Sequence, residues 1–189
     1  MKDQIIKSCI ECFEKNGFIE TSIQDVVDQI GVTKGTFYYY FKSKEQVLMT
    51  IHRKYIDTLL QQQQQVMDDT TLTYKEKLEG LVRVLITNIT PLGNSARVFH
   101  REYRHLNEEH MSEVRTKRNQ VRTAMEKVIR DGIKAKEFRR DIQADIVTLG
   151  ILGACNWSYQ WFQSDGVFTD SEVASIFIDM ICQGIEDSV

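Results

Sequence analysis

Gly31-Val32-Thr33-Lys34-Gly35-Thr36-Phe37-Tyr38-Tyr39-Tyr40-Phe41 combines a turn glycine, a capping threonine and three consecutive tyrosines. Thr33 is a natural helix cap, and the helix it opens is short, about Lys34 to Tyr40. Phe37 and Phe41 lie four apart, so both can pin that helix to a core. Thr36, Tyr38, Tyr39 and Tyr40 then spread over the remaining surface. Tyrosine is amphipathic, and three in a row are costly to bury completely. Gly35, in the first turn, costs helix stability relative to alanine, and a close approach by another backbone or by DNA would account for it.

Upstream, Ile5, Ile6, Cys9, Ile10 and Phe13 recur at helical spacing, giving a first helix of roughly Asp3 to Lys15 that ends at Asn16-Gly17. Ser22 with Asp25 forms a capping-box pattern for a second helix, whose buried face is Ile23, Val26, Val27 and Ile30. Helix, glycine turn and short helix make the helix-turn-helix arrangement. In it, Thr33, Lys34 and Thr36 at the helix start can reach base edges. Tyrosine hydroxyls can bond phosphate, and Lys44 in the first turn of the fourth helix can meet another phosphate. The net charge of −3 does not advertise nucleic acid. Its distribution does: Lys34, Lys42, Lys44, Arg53 and Lys54 face the single anion Glu45 over this region.

Gly17-Phe18, Thr21-Ser22-Ile23-Gln24-Asp25-Val26, Gly31 through Phe41, and Ser43-Lys44-Glu45 with Leu48 together resemble the N-terminal signature of the tetracycline-repressor (TetR) family. The resemblance covers about the first fifty residues without a gap. It implies a homodimeric transcriptional regulator, usually a repressor, released from a palindromic double-stranded DNA operator by a small ligand. It also implies that Ser22 and Tyr38 touch phosphates, that Thr33, Lys34, Gly35, Thr36 and Tyr39 face the groove, and that Lys44 anchors the backbone. Tyr40 stands where the family often has histidine, a departure at a phosphate-contacting position.

The remainder reads as further helices. The expected fold is all-α with about nine helices: a helix-turn-helix domain over 1–46 and a ligand-binding and dimerisation domain over 47–189. Ser43 caps a fourth helix with the stripe Val47, Leu48, Ile51, Tyr55 and Leu59, and its Gln61–Gln65 run reads as a solvated end. Thr73 with Glu76 caps a fifth helix. Pro91-Leu92-Gly93-Asn94 is expected to stop it, before a short helix from about Ala96 to Leu106 and a long one from Glu109 to Ala135. The segment from Ile146 to Phe162 is apolar on nearly every side, which predicts burial all round. The last helix, about Ser171 to Ile185, carries Val173, Ile176, Phe177, Met180, Ile181 and Ile185 on one broad face. These last two helices are expected to form a four-helix dimer interface with their symmetry mates.

Gly153-Ala154-Cys155-Asn156-Trp157, a second tryptophan four residues on, and Asp165-Gly166 before the final helix are similar to the C-terminal region of TetR regulators of fatty-acid and sterol degradation. That similarity implies a long-chain acyl-CoA as effector. An acyl chain needs an apolar tunnel, for which Phe99, Tyr103, Met125, Trp157 and Trp161 are candidates. The CoA phosphates need cations, for which Arg97, Arg101, Arg104 and Arg118 are candidates. A hydrophobic drug or other metabolite is the alternative within the family, and a helical protein-binding adaptor is the alternative outside it.

Other chemistry finds little support. His100, His105 and His110 are five apart and do not align on a helix face, and Cys9-x-x-Cys12 lacks a second ligand pair, so no metal is expected. No nucleophile elbow or phosphate loop appears, so neither an enzyme nor a cofactor is expected. No stretch reaches a membrane span and no signal-peptide pattern opens the chain, so a cytoplasmic protein is expected.

Overall fold

The computed structural model describes residues 1–186. Among them lie nine α-helices and one 3-10 turn at Tyr103–His105. The helices are α1 (Lys2–Asn16), α2 (Ile23–Gln29), α3 (Lys34–Tyr40), α4 (Lys44–Asp68), α5 (Tyr74–Thr87), α6 (Ile89–Arg101), α7 (Glu108–Lys134), α8 (Ala144–Trp161) and α9 (Asp170–Ile185). The fold is the all-α one expected, with an N-terminal helix-turn-helix and a helical C-terminal part. Phe138 and Glu186 make an isolated antiparallel bridge.

The chain divides into two compact units. The first is Met1–Asp57 with Leu92–Thr116, and the second is Thr58–Pro91 with the chain from Lys117 onward. The first unit is thus larger than 1–46, because the end of α6, the 3-10 turn and the start of α7 pack with the N-terminal helices. Arg97 Nε donates to Glu14 Oε1 at 2.9 Å, and Arg101 Nη2 donates to the carbonyls of Phe13 and Glu14 at 3.2 and 2.9 Å. Both carbonyls lie in the last turn of α1, where helical partners thin out, although Phe13 O also accepts from Gly17 N at 2.9 Å. The ring of His105 stacks on Phe18 at 5.5 Å, and His110 Nδ1 lies 2.6 Å from Glu45 Oε1.

Local capping explains most boundaries. Ser22 and Asp25 close a reciprocal capping box on α2, as do Thr73 with Glu76 on α5 and Thr169 with Glu172 on α9. Ser43 Oγ accepts from Gln46 N at 3.1 Å to start α4. The expected stop at Pro91 to Asn94 is corrected: α5 ends at Thr87, and α6 begins at Ile89 and runs through all four residues. Pro91 is the third residue of α6, where a backbone N–H has no helical partner to lose.

In the second unit α5 packs mainly against α9 and α8. Gly132 is one place where the fold requires glycine, since a Cβ there would collide with the Phe138 ring. Of the burial expected all round α8, the single chain supplies one face. Thr148, Ile151, Cys155, Ser158 and Tyr159 form its buried face, whereas Ile146, Leu149, Trp157 and Trp161 are exposed in the single chain. On α9 the inward face centres on Val173, Ala174, Ile178, Ile181, Cys182 and Ile185, which leaves Ile176 and Met180 outward. Periodicity finds apolar faces, but a helix with two of them does not say which one its own chain covers.

Candidate functional site

The first unit builds a stiff platform for α3. Ser8 Oγ donates to Val26 O at 3.0 Å, and Thr21 Oγ1 bonds Cys12 O at 3.1 Å and Gly17 O at 2.7 Å, so α1 and α2 are tied by buried polar groups. The turn into α3 places Gly31 at φ +68°, in the left-handed region that glycine enters without strain. Thr33 Oγ1 then accepts from Thr36 N at 3.2 Å and lies 3.2 Å from Thr36 Oγ1. Phe37 and Phe41 are buried, at 0% and 3% exposure.

The opposite side of α3 is open. Thr33, Lys34, Gly35 and Tyr38 are exposed, Tyr39 is 81% exposed, and Thr36 and Tyr40 are half-buried. The Tyr39 and Tyr40 rings meet edge to face at 4.9 Å, and the Tyr38 ring stands edge-on to Phe37 at 5.6 Å. These contacts order the rings while leaving Tyr38 and Tyr39 turned outward. A Cβ at Gly35 would meet only Thr33 Oγ1, at 3.5 Å, an ordinary contact. The fold itself therefore leaves room for alanine there. Ser22 is exposed beside this surface, and its hydroxyl caps α2.

Lys44 has partners within the chain. Its ammonium donates to the carbonyls of Phe18, Ile19 and Thr21 and sits 4.4 Å over the Phe18 ring. Three donors meet three acceptors, so here Lys44 fastens the α1–α2 loop that presents Ser22. Burial holds its pKa below the usual lysine value. Arg53 pairs with Glu113 and Lys54 with Asp3. Lys34 and Lys42 remain exposed beside α3. Cys9 is fully buried and its thiol is pushed up to about 12, while the Cys12 thiol donates to Gln29, which suits apolar filling.

The residues expected to hold an effector are divided. Phe99, Arg101, Tyr103 and Arg104 lie in the first unit, and Arg118, Met125, Trp157 and Trp161 in the second. Phe99 is buried against Tyr55 and His52, Arg101 is committed to α1, and Tyr103 Oη donates to Met111 O at 3.0 Å. Arg104 is exposed with Nε 3.3 Å from His105 Nε2, and Arg118 is half-buried on α7. Trp157 and Trp161 are 63% and 47% exposed. Met125 alone among them lines an internal slit of about 10 Å³ between α4, α5 and α7, together with Leu59, Leu81, Leu85 and Val121. Such a volume suits at most one water. Gln63 closes the slit, buried at 5% exposure with Nε2 on Val121 O at 2.9 Å. In the sequence Gln63 reads as part of a solvated run, and no signal there distinguishes it from its four glutamine neighbours.

Residues 5–50 match the family described as bacterial regulatory proteins, tetR family, and residues 71–185 match the tetracyclin repressor-like C-terminal domain. The chain is 25% identical over 188 residues to the HTH-type transcriptional repressor KstR2 of Mycolicibacterium smegmatis, covering 99% of this chain and 91% of that protein. It superposes on the ketosteroid transcriptional regulator KstR2 of Mycobacterium tuberculosis with a TM-score of 0.94 at 23% identity, over 99% of this chain and 95% of that one. It also superposes on AibR, solved in complex with isovaleryl coenzyme A and operator DNA, with a TM-score of 0.84 at 22% identity over 95% and 96% of the two chains. Among the described residues no helix is long and apolar enough to cross a membrane, and no three His, Cys, Asp or Glu side chains cluster as metal ligands.

Proposed function

Because this chain belongs to the TetR family of DNA-binding transcriptional repressors, we propose that it works in the cytoplasm as a homodimer on a palindromic operator and leaves it when an acyl-CoA thioester binds the second unit. The observation that carries the reading is α3: two buried phenylalanines hold a seven-residue helix whose other side offers Thr33, Lys34, Thr36, Tyr38 and Tyr39 to the outside. Thr33 to Thr36 read base edges, Tyr38, Tyr40 and Ser22 meet phosphate, and Lys44 acts by fixing the loop that carries Ser22.

The dimer forms through the outward faces of α8 and α9. Ile146, Leu149, Trp157, Ile176 and Met180 make an apolar patch that a lone soluble chain rarely displays. Twofold symmetry then sets two α3 helices about 34 Å apart, one turn of DNA. The effector favours a conformation with the wrong spacing, and it does so only by binding the two states unequally.

The thioester reading draws on the AibR complex and on the slit wall, apolar but for Gln63. One observation favours a second effector class, an apolar molecule without phosphates: Arg97 and Arg101 are already engaged by Glu14 and the end of α1. Titrating the protein–operator complex with palmitoyl-CoA, palmitate and CoA separates the two. Release by palmitoyl-CoA alone supports the thioester. Equal release by palmitate, or none by either, refutes it.

A further inference from the structure

A second concavity lies beside the slit, within the same unit. It is an outward-opening groove of about 430 Å³ between the C-terminal half of α4 and α5. That is the size range of small-molecule sites. Gln62, Gln65, Asp69 and Arg83 give it polar edges, and Val66 and Leu72 add apolar wall. Arg83 is exposed and is the cation among the lining residues; Asp69 is turned to Thr71, whose backbone N–H and hydroxyl lie 2.9 and 2.6 Å away.

The groove and the inner slit share one residue, Val84. Val84 lies between two fastenings at helical spacing along α5. One turn earlier is Gly80, where a Cβ would stand 2.9 Å from Val66 Cγ1, so α4 and α5 are in close contact there. One turn later is Asn88, buried, whose Nδ2 donates to Gln62 of α4 and, at 2.6 Å, to Val84 O. Between these two points a half-buried isopropyl group stands where the open, polar-edged groove meets the apolar seam. A β-branched side chain in a helix holds essentially one χ1 rotamer, so it is held at that junction by default.

We propose that Val84 is the gate of an effector passage. An amphiphile seats an anionic head against Arg83 in the groove and threads its apolar chain past Val84, parting Leu59, Leu85 and Met125 and displacing the Gln63 side chain. This rests on the reading of the second unit as the effector-sensing part, and it assigns that part an entrance and an orientation of the ligand.

The test uses the full chain and two probes: palmitoyl-CoA, and the neutral fluorophore N-phenyl-1-naphthylamine, which has no anionic head. Stopped-flow association is measured for the wild type, Val84→Ala, Val84→Phe and Arg83→Gln. Melting temperature and operator affinity without probe serve as fold controls. The expected result is an association rate raised about threefold by Val84→Ala and lowered about tenfold by Val84→Phe for both probes, within the range that changes at one site produce. Arg83→Gln slows palmitoyl-CoA and leaves the fluorophore unchanged. If palmitoyl-CoA fails to bind the wild type while the fluorophore still answers to Val84, the gate stands and the thioester reading falls. If bound probes enter at the same rate in all Val84 variants, the gate is refuted and the thioester reading is untouched. Should Val84→Phe fail the fold controls, Val84→Ala with Val84→Ile carries the comparison.

Discussion

Two surfaces of this protein expose large side chains, and they differ in what the exposed atoms are. On α3 the exposed groups are tyrosine rings with hydroxyl tips, beside Lys34, Lys42 and threonine hydroxyls. On α8 and α9 they are Ile146, Leu149, Ile176, Met180 and two tryptophans. The first set keeps hydrogen-bonding capacity at its outer edge and suits a wet, anionic partner. The second is almost entirely hydrocarbon and suits burial against a surface like itself. Exposure alone does not identify a partner; the chemistry at the outermost atoms does.

The sharpest way to break that contrast lies within α3 itself. Phe37→Ala should cost about 3–5 kcal/mol of stability, because the ring is fully buried. Its neighbour Tyr38→Ala should leave the thermal midpoint within a degree or two and lower affinity for every DNA sequence about tenfold, as loss of a charge-assisted hydrogen bond does. Equal losses of stability would mean that Tyr38 belongs to the core.

The next largest effect tests the other surface. Leu149→Asp with Ile176→Asp should give a folded monomer by sedimentation, with operator affinity reduced at least about a hundredfold as the two half-sites lose their linkage. A dimer that survives both changes would move the interface elsewhere. Smaller again is Arg101→Gln, which removes one donor from the Phe13 and Glu14 carbonyls at the end of α1. It should cost about 1 kcal/mol in chemical denaturation and weaken operator binding without altering its salt dependence, since no phosphate contact is lost.

The smallest effect probes where the two regions are alike. Asp25 on α2 and Glu172 on α9 are both held below their ordinary values, first by the backbone N–H and then by the side chain of the capping residue. A depressed folded-state pKa contributes stability that is present above the unfolded value and is lost as pH falls through the folded one. Melting temperature should therefore decline below about pH 4.5, and Asp25→Asn with Glu172→Gln should flatten that decline. An unchanged profile would mean that other carboxylates control acid sensitivity.

The N-terminal helices were legible because their signals are local. Ser22, Asp25, Thr33, Ser43, Thr73 and Glu76 announce caps within three residues, and each cap formed. Pro91 misled because proline breaks a helix interior yet fits a first turn, and only the neighbouring structure tells which it is in. The arginines of α6 looked like an anion site. Their partners at Phe13 and Glu14 lie more than 80 residues away in the chain, beyond any local signal. Gln63 and Val84 were illegible for the same reason, since their meaning comes from α7 and from the space between helices.

Whether α3 reads DNA as one of a symmetric pair is decided by selection of binding duplexes from a random pool with the full chain. A symmetric pair should enrich a palindrome whose half-sites lie about one helical turn apart, with the enriched bases changing in the Lys34→Ala and Thr36→Ala proteins. Enrichment of no common sequence, or of the same sequence by all three proteins, would contradict it.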